Sequence, residues 1–470
     1  MNLLLLRPGK LQQQLHYRIL ETVKTCHPPL GLLSIGAVLE QNGHNVKVID
    51  FYADNDPINH IKNSIASADI VGISVYSDEY ESAIDICRIV KEVDKNLPLI
   101  IGGPHCILSE KGSLDSFPYA DISVAGEGEN VILEIVKYLE GMKKLSEIQG
   151  IFYREKNYVK SGKPIQVIQN LDELPFPARH LVDKYDYGVY SFGYKMRQKV
   201  TSIITSRGCP FKCKFCARYS NSIKNWSFRI RSAENVVREI QEIGEKYRSL
   251  WIVDDNFLAD KKRAHRICDM LIDSGIDIDL YIEGVRVDSA EELLYKKMKK
   301  AGVKLLGYGI ESMNQDILDF YNKKITIQQI KDSLQLASKM GFLTYGSFIF
   351  GAPTETKEHI ERTIRIACTL PLDFANFEPL CYRRGSQLWY EAVEDKKISS
   401  DIDYFFADSQ KGFGNFTSDE LFEFKKKAMN RFYLRFNFIL RHIYKAFLRR
   451  DFNLIFNGSK FFFLLKNIGE

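Results

Sequence analysis

Two kinds of apolar spacing alternate along most of this chain. Short runs of adjacent apolar residues, Leu3-Leu-Leu-Leu6, Val46-Lys-Val-Ile-Asp50, Ile70-Val-Gly-Ile-Ser-Val75, Leu99-Ile-Ile-Gly-Gly103 and Ile122-Ser-Val-Ala125, predict buried strands. Between them, Pro28 to Glu40 and Tyr80 to Val93 carry apolar residues at helical spacing. Strand–helix alternation of this kind predicts a doubly wound, Rossmann-like parallel sheet over residues 1–142. Ligands of such sheets lie beyond the carboxyl ends of the strands, at the switch in strand order. The residues at those ends are Asp50, then Ser74, Tyr76 and Ser77, then Gly102, Gly103, Pro104 and His105, then Gly126, Glu127, Gly128 and Glu129.

A second alternation fills residues 197–390. Its predicted strands are Thr201–Thr205, Leu250–Val253, Leu280–Val285, Val303–Ile310, Thr344–Phe350 and Phe374–Pro379. Helical patterns separate them, among them Ala233 to Ile243, Lys262 to Ile272, Ala290 to Ala301 and Ile327 to Met340. Six βα units are too few for a closed eightfold barrel. Residues 143–196 read as a join: a hairpin from Ile151–Arg154 through Lys156-Asn157 to Pro164–Ile168, then the extended linker Leu171-Asp-Glu-Leu-Pro-Phe-Pro177. Residues 391–470 read as a helical segment, with patterns over Glu420 to Tyr433 and Phe438 to Arg450.

Composition bounds this picture more than it changes it. At 470 residues, 27% charged and 45% hydrophobic, the chain has room for two or three domains with sizeable cores. No apolar run reaches the roughly 18 residues of a membrane span, and Met1-Asn-Leu-Leu-Leu-Leu-Arg-Pro8 reads as a strand rather than a signal peptide. Nine cysteines, an odd number with one clustered spacing, predict a reducing, cytoplasmic setting rather than a disulfide framework. Cys26, Cys87, Cys106, Cys268, Cys368 and Cys381 read as ordinary thiols.

Charge does change the picture. The net charge of +5 is uneven: Leu421 to Glu470 holds eleven Lys/Arg against three acidic residues, and eleven of the thirty phenylalanines. Basic residues mixed with Phe, Leu and Ile describe an interfacial helix at the inner face of a membrane, and equally a cap helix on the preceding domain. No nucleic-acid-binding motif is present.

The candidate chemistry is concentrated in Thr205-Ser-Arg-Gly-Cys-Pro-Phe-Lys-Cys-Lys-Phe-Cys216. Cys209, Cys213 and Cys216 follow an apolar strand in a Cys-x3-Cys-x2-Cys run, and thiolates are soft ligands suited to iron–sulfur clusters and zinc. Zinc would need a fourth ligand, and His180 and His265 are too far in sequence to join the same knuckle. A 4Fe-4S cubane held by three cysteines keeps one iron open for a chelating small molecule. This run, with Arg207-Gly208 before it and the aromatic Phe215 inside it, resembles the radical S-adenosylmethionine (SAM) superfamily. The six βα units suit that superfamily's partial (β/α)6 barrel. The N-terminal blocks, including Gly-Gly-Pro-His and Gly-Glu-Gly-Glu, resemble the cobalamin-binding domain that precedes many such cores, although the Asp-x-His-x-x-Gly box of mutases is missing.

The resemblance implies a cobalamin-dependent radical SAM enzyme with a 4Fe-4S cluster on the three cysteines. Reductive cleavage of SAM would yield a 5′-deoxyadenosyl radical, and methylcobalamin would then methylate an unactivated carbon. An electron donor such as flavodoxin or ferredoxin would supply the reductant. SAM contacts are implied for Phe215, for Asp254, Asp255 and Asn256, for Arg286, for Glu311 and for Gly351; cobalamin contacts are implied for Ser74, Tyr76 and Ser77, for Gly102, Gly103 and Pro104, and for Gly126, Glu127 and Gly128. Each has a plainer reading. The glycines could be turn formers, Arg286 and Glu311 could be caps or dipole partners, and Thr354 with Glu358 looks like a helix cap. Arg384, with Arg383 beside it, stands where relatives carry a proline, which suits either an anionic substrate group or solvated arginines. Rival functions are radical cyclisation or carbon–carbon coupling without methyl transfer, and a non-catalytic corrinoid or iron–sulfur carrier. The C-terminal composition suits an apolar, partly anionic lipid or isoprenoid substrate. No residue is singled out as a catalytic acid, base or nucleophile.

Overall fold

The computed structural model describes residues 1–9, 27–156, 158–188, 196–221, 223 and 225–449. Cys26, Asn157 and the last part of the C-terminal segment therefore lie outside the described residues. Among the described residues the chain divides into two compact units, one from 1–9, 27–156, 158–187, 219–221, 223 and 225–226, the other from 188, 196–218 and 227–449.

The first unit is built on a seven-stranded sheet in the order β2-β1-β3-β4-β5-β6-β7. The strands are β1 (Asn2–Arg7), β2 (Asn45–Asp50), β3 (Ile70–Ser74), β4 (Leu99–Gly102), β5 (Ile122–Val124), β6 (Ile151–Glu155) and β7 (Tyr158–Ser161). Leu3 to Leu6 are all buried because β1 is central and has helices on both faces. Leu4 and Leu6 enter one core with Ile73, Ile86 and Val90; Leu3 enters another with Leu39, Ile132 and Ile135. β1 to β5 pair in parallel, while β5–β6 and β6–β7 are antiparallel. The hairpin expected in the join thus extends the first sheet, and its return strand is Tyr158–Ser161 rather than Pro164–Ile168. Tyr153 supplies the reason: its inward side chain is buried in that sheet's core.

The second unit is an open barrel of six parallel strands in the order β15-β14-β13-β12-β11-β8. Its strands are β8 (Val200–Ile203), β11 (Ser249–Ile252), β12 (Asp279–Val285), β13 (Val303–Glu311), β14 (Leu343–Phe350) and β15 (Phe374–Pro379). A short ladder, β9 (Ser206–Arg207) with β10 (Arg229–Ile230), brackets the cysteine loop, and β16 (Cys381–Arg383) pairs with β17 (Tyr404–Phe406). Period-2 alternation sorts the side chains. Trp251, Tyr281, Leu305 and Leu343 face inward and close one end of the barrel with Met196, Val200, Phe374 and Ala446. Ile252, Ile282 and Leu306 face the surrounding helices.

The C-terminal segment forms helices Ser418–Tyr433 and Phe436–Arg449. Tyr433 is tied to β15 by its hydroxyl, which donates to Ala375 O at 2.7 Å and accepts from Ala375 N–H at 3.0 Å. Ala446 belongs to the barrel plug, so part of this segment is a cap on the barrel.

Candidate functional site

The cysteine loop leaves β9 through Gly208, whose φ of +80° suits glycine. Several anchors from the same unit hold it. Lys214 N–H donates to Tyr321 O (3.0 Å), and Lys214 O accepts from Leu388 N–H (3.1 Å). Lys212 O accepts from Asn322 Nδ2 (2.7 Å), and the Phe215 ring meets Tyr321 edge-on, with centroids 5.1 Å apart. Cys213 is buried, Cys209 is half-buried, and Cys216 is exposed at its surface. Burial raises the Cys209 thiol and pushes Cys216 up to about 12, so bare thiolates are disfavoured here without a compensating positive partner. Among the described residues no three His, Cys, Asp or Glu side chains converge on one point that a single ion could occupy. A cubane asks for something else, three thiolates each on its own iron.

The Asp254-Asp-Asn256 turn at the end of β11 divides its labour. Asp254 is buried and consumed: it accepts from Thr205 N–H (2.6 Å), Ser206 Oγ (2.7 Å) and Thr205 Oγ1, with Arg263 at 3.8 Å. Its role is to join β8 to β11, which leaves no oxygen for a ligand. Asp255, beside it, makes no such contact and keeps exposed surface, while partial desolvation and the Asp254 charge raise its pKa. Asn256 is 1% exposed, and neither its Oδ1 nor its Nδ2 has a partner. A buried amide with both ends unsatisfied costs a few kcal/mol unless a ligand completes it. These two side chains fit a polar ligand such as SAM.

Arg286 is less available. Its Nε and Nη2 bind Asp288 (3.0 and 2.9 Å), Nη2 also donates to Lys323 O (2.7 Å), and the guanidinium stacks 3.8 Å from the Phe211 ring centroid. It therefore clamps the cysteine loop. Glu311 has φ +66° and pairs with the buried Lys323, Oε1 to Nζ 2.6 Å. Gly351 has φ +104°, and a Cβ there would lie 2.7 Å from Leu421, so its glycine is explained by backbone and packing. Glu355 Oε2 accepts from Gly351 N–H (2.6 Å) and Ala352 N–H (3.3 Å); burial pushes this carboxyl up to about 7. The helix cap itself is Thr356, which accepts from His359 N–H, so the expected pairing of Thr354 with Glu358 is displaced by two positions at its cap. Arg384 is held by Asp403 (2.6 Å) and lies over Trp389, a structural use rather than an open anion site.

Two residues escaped the sequence reading. Lys323 had no motif to announce it. Glu283 did have a signal, since alternation puts it on the inward face with Tyr281. It sits deep in the barrel, burial alone pushes it up to about 7, and its surface remains partly accessible. The inward neighbour across the β13 strand is Gly307, which leaves room beside it.

In the first unit, the strand-end residues are used differently. Gly103 has φ +99°, and its Cβ would lie 3.0 Å from Val75 O. Gly128 starts helix Gly128–Leu139 against Ile35, where a Cβ would lie 3.0 Å from Cδ1. Glu127 Oε2 accepts from Ile168 N–H (2.6 Å). A cavity of about 100 Å³ lies between Gly126 and the Ile165–Ile168 stretch. His105 is 1% exposed between the Tyr80 and Phe117 rings, so it is a core residue and not a free metal ligand. Gly102 makes only ordinary contact with Val124, Pro104 opens helix Pro104–Ser109, and Ser77 opens a short 3-10 turn. The switch in strand order falls between β1 and β3. Tyr76, just beyond Ser74 at the end of β3, is 46% exposed, and Glu79 Oε2 is buried there without a partner. An exposed aromatic near a carboxylate with one oxygen held by Tyr52 and the other unpartnered fits a large ligand lying on the strand ends.

Comparison with known proteins decides the family. The Radical SAM superfamily profile matches residues 203–367 and the B12 binding domain profile matches residues 18–136. An uncharacterized methyltransferase of Pyrococcus horikoshii is 33% identical over 91% of this chain and 92% of its own length. The chain belongs to the cobalamin-dependent radical SAM methyltransferase family. The anaerobic magnesium-protoporphyrin IX monomethyl ester cyclase of Cereibacter sphaeroides is 25% identical over 78% of this chain and 60% of its own length. The solved structure of the cobalamin-dependent radical SAM enzyme OxsB, with aqua-cobalamin and SAM bound, shares the fold: TM-score 0.69 at 17% identity, covering 100% of this chain and 80% of that one. As a member of this family the chain is an enzyme whose cofactors are a 4Fe-4S cluster, SAM and cobalamin.

Proposed function

We propose that this enzyme transfers a methyl group to an unactivated carbon of an apolar substrate. Cys209, Cys213 and Cys216 would hold the cluster, and Phe215, packed on Tyr321 in the same loop, would contact SAM. Asp255 takes the SAM ammonium, Asn256 completes its hydrogen bonds on the same ligand, and Glu311 faces the ribose hydroxyls. Asp254, Arg286 and Gly351 act behind them by fixing the loops. Ser74, Tyr76 and Ser77, with Gly102 to Pro104 and Gly126 to Gly128, border the cobalamin. When bound, these cofactors supply one-electron cleavage of SAM and a transferable methyl group; a flavodoxin- or ferredoxin-like donor supplies the electron. The observation that carries this reading is the buried, unpartnered Asn256 amide, with the exposed Asp255 carboxylate beside it, at the barrel end that also bears the three-cysteine loop.

The test is anaerobic reconstitution of the full chain with iron, sulfide and hydroxocobalamin, followed by SAM. 5′-Deoxyadenosine and a methylated cobalt species are the expected products, and methylated metabolites or lipids should vanish from cells lacking the protein. Products that gain a ring or a carbon–carbon bond but no methyl would favour the cyclisation alternative, and absence of SAM cleavage would favour a carrier.

The preference for an apolar, lipid-like substrate at a membrane surface rests on helix Phe436–Arg449. Phe436, Leu440, Tyr444 and Phe447 are 71%, 48%, 63% and 62% exposed, one stripe at helical spacing. The expected basic partner surface is reduced, because Lys425, Lys427 and Arg431 pair with Glu378 and Glu361, and Arg441 pairs with Asp373. Attachment would thus be mainly apolar. No described helix is long and apolar enough to cross a membrane. Sedimentation with anionic and neutral liposomes should recover the protein from both with weak salt dependence; failure with both would leave this helix as a cap only.

A further inference from the structure

The segment Tyr321–Lys324 is a second clamp on the cysteine loop. Asn322 and Lys324 both have positive φ, +53° and +54°, strained values for residues with side chains. The turn is held there by contacts already described: Tyr321 O to Lys214 N–H, Asn322 Nδ2 to Lys212 O, and Lys323 O to Arg286. The strain therefore places one side chain, Lys323, in the barrel interior. Its Nζ lies 2.6 Å from Glu311 and 5.8 Å from the Phe215 ring centroid. Gly309 makes room for the pair, since a Cβ there would lie 2.6 Å from Glu311 Oε1 and 2.8 Å from Lys323 Nζ. Phe215 is the residue next to Cys216 in the loop, so the ammonium lies beside the segment that carries Cys213 and Cys216. One buried cation is thus paired with a carboxylate and held beside the loop that carries the thiols.

We infer that Lys323 is a positioning residue that sets how readily the cluster accepts its electron, with Glu311 as the opposing charge. This rests on the reading of Cys209, Cys213 and Cys216 as cluster ligands. Reduction by a one-electron donor adds one negative charge to the cluster and its thiolates. A fixed positive charge held nearby in low-dielectric surroundings favours that state, and a fixed negative charge disfavours it. The two members of the pair therefore have opposite predicted signs, which a purely structural role for the pair does not.

The experiment is an EPR-followed potentiometric titration with dithionite on the reconstituted full-length chain, without SAM, with iron and sulfide counted in each sample. Lys323→Met should lower the midpoint potential, Lys323→Arg should restore it towards wild type, and Glu311→Gln should raise it. Shifts of Lys323→Met and Glu311→Gln in the same direction, or unmoved potentials at full iron content, overturn the inference. If Lys323→Met takes up no cluster, Glu311→Gln decides alone: a rise supports the inference, and no rise overturns it. The underlying reading fails separately, if replacing all three cysteines leaves the iron content unchanged.

Discussion

The carboxyl strand ends of the two units carry similar-looking motifs and use them in opposite ways. In the first unit, glycine and acidic motif residues are largely absorbed by packing: Gly103 against Val75, Gly128 against Ile35, and Glu127 on the Ile168 amide. In the barrel, a neighbouring pair is split. Asp254 is absorbed into a buried network, while Asn256 is buried with neither end of its amide partnered and Asp255 is exposed beside it. A motif residue consumed by its own fold shapes a site; one left unsatisfied in a buried position is available to a ligand, because an unmade hydrogen bond costs more than a made one gains.

The largest expected effect breaks the two regions apart. Replacing Cys209, Cys213 and Cys216 together with alanine should abolish the cluster's visible absorbance and all SAM cleavage, while binding of hydroxocobalamin by the same full-length protein persists. Retention of SAM cleavage, measured as 5′-deoxyadenosine, would refute the assignment of the loop.

A second experiment sharpens the contrast inside the barrel. Asp254→Ala removes the acceptor for three donors and leaves Arg263 buried without its carboxylate, so urea unfolding should show a loss of about 3 to 5 kcal/mol. Asp255→Asn should leave stability nearly unchanged and weaken SAM at least about tenfold by equilibrium dialysis, one lost charge-assisted contact. Equal stability losses would erase the distinction between them.

Next comes the contribution of a buried carboxyl to pH dependence. Glu283 has an ordinary value of 4.5 and is pushed up to about 7 by burial. The native state then holds the proton more tightly than the unfolded chain. Its stabilising share is complete below about pH 4.5 and is lost as pH rises through 7. Glu283→Gln should therefore gain stability relative to wild type between pH 5 and pH 8, by roughly 2 to 3 kcal/mol. Parallel curves for the two proteins would show that Glu283 ionises freely.

The smallest effect tests the packing account of the first unit. Gly103→Ala places a Cβ at a φ of +99° and 3.0 Å from Val75 O. A loss of about 1 to 2 kcal/mol is expected, with cobalamin affinity falling only as far as the strand end distorts. A large loss of cobalamin binding at unchanged stability would instead make Gly103 a direct contact.

Much of this molecule was determined by its sequence alone. Both strand–helix alternations, all five parallel strands of the first sheet and all six of the barrel were legible, because period-2 and 3.6-residue patterns are local consequences of burial. The cysteine loop was legible for a different reason: three soft ligands in eight residues are themselves the chemistry. Tertiary structure decided what each strand-end residue does. It placed the β6–β7 hairpin in the first sheet, gave Asp254 to Thr205 and Ser206, turned Arg286 onto Phe211, buried His105 between two rings, and brought Lys323 to Glu311 from twelve residues further along the chain. Those outcomes depend on which partners reach a side chain first across long sequence separations, and no local pattern encodes that competition.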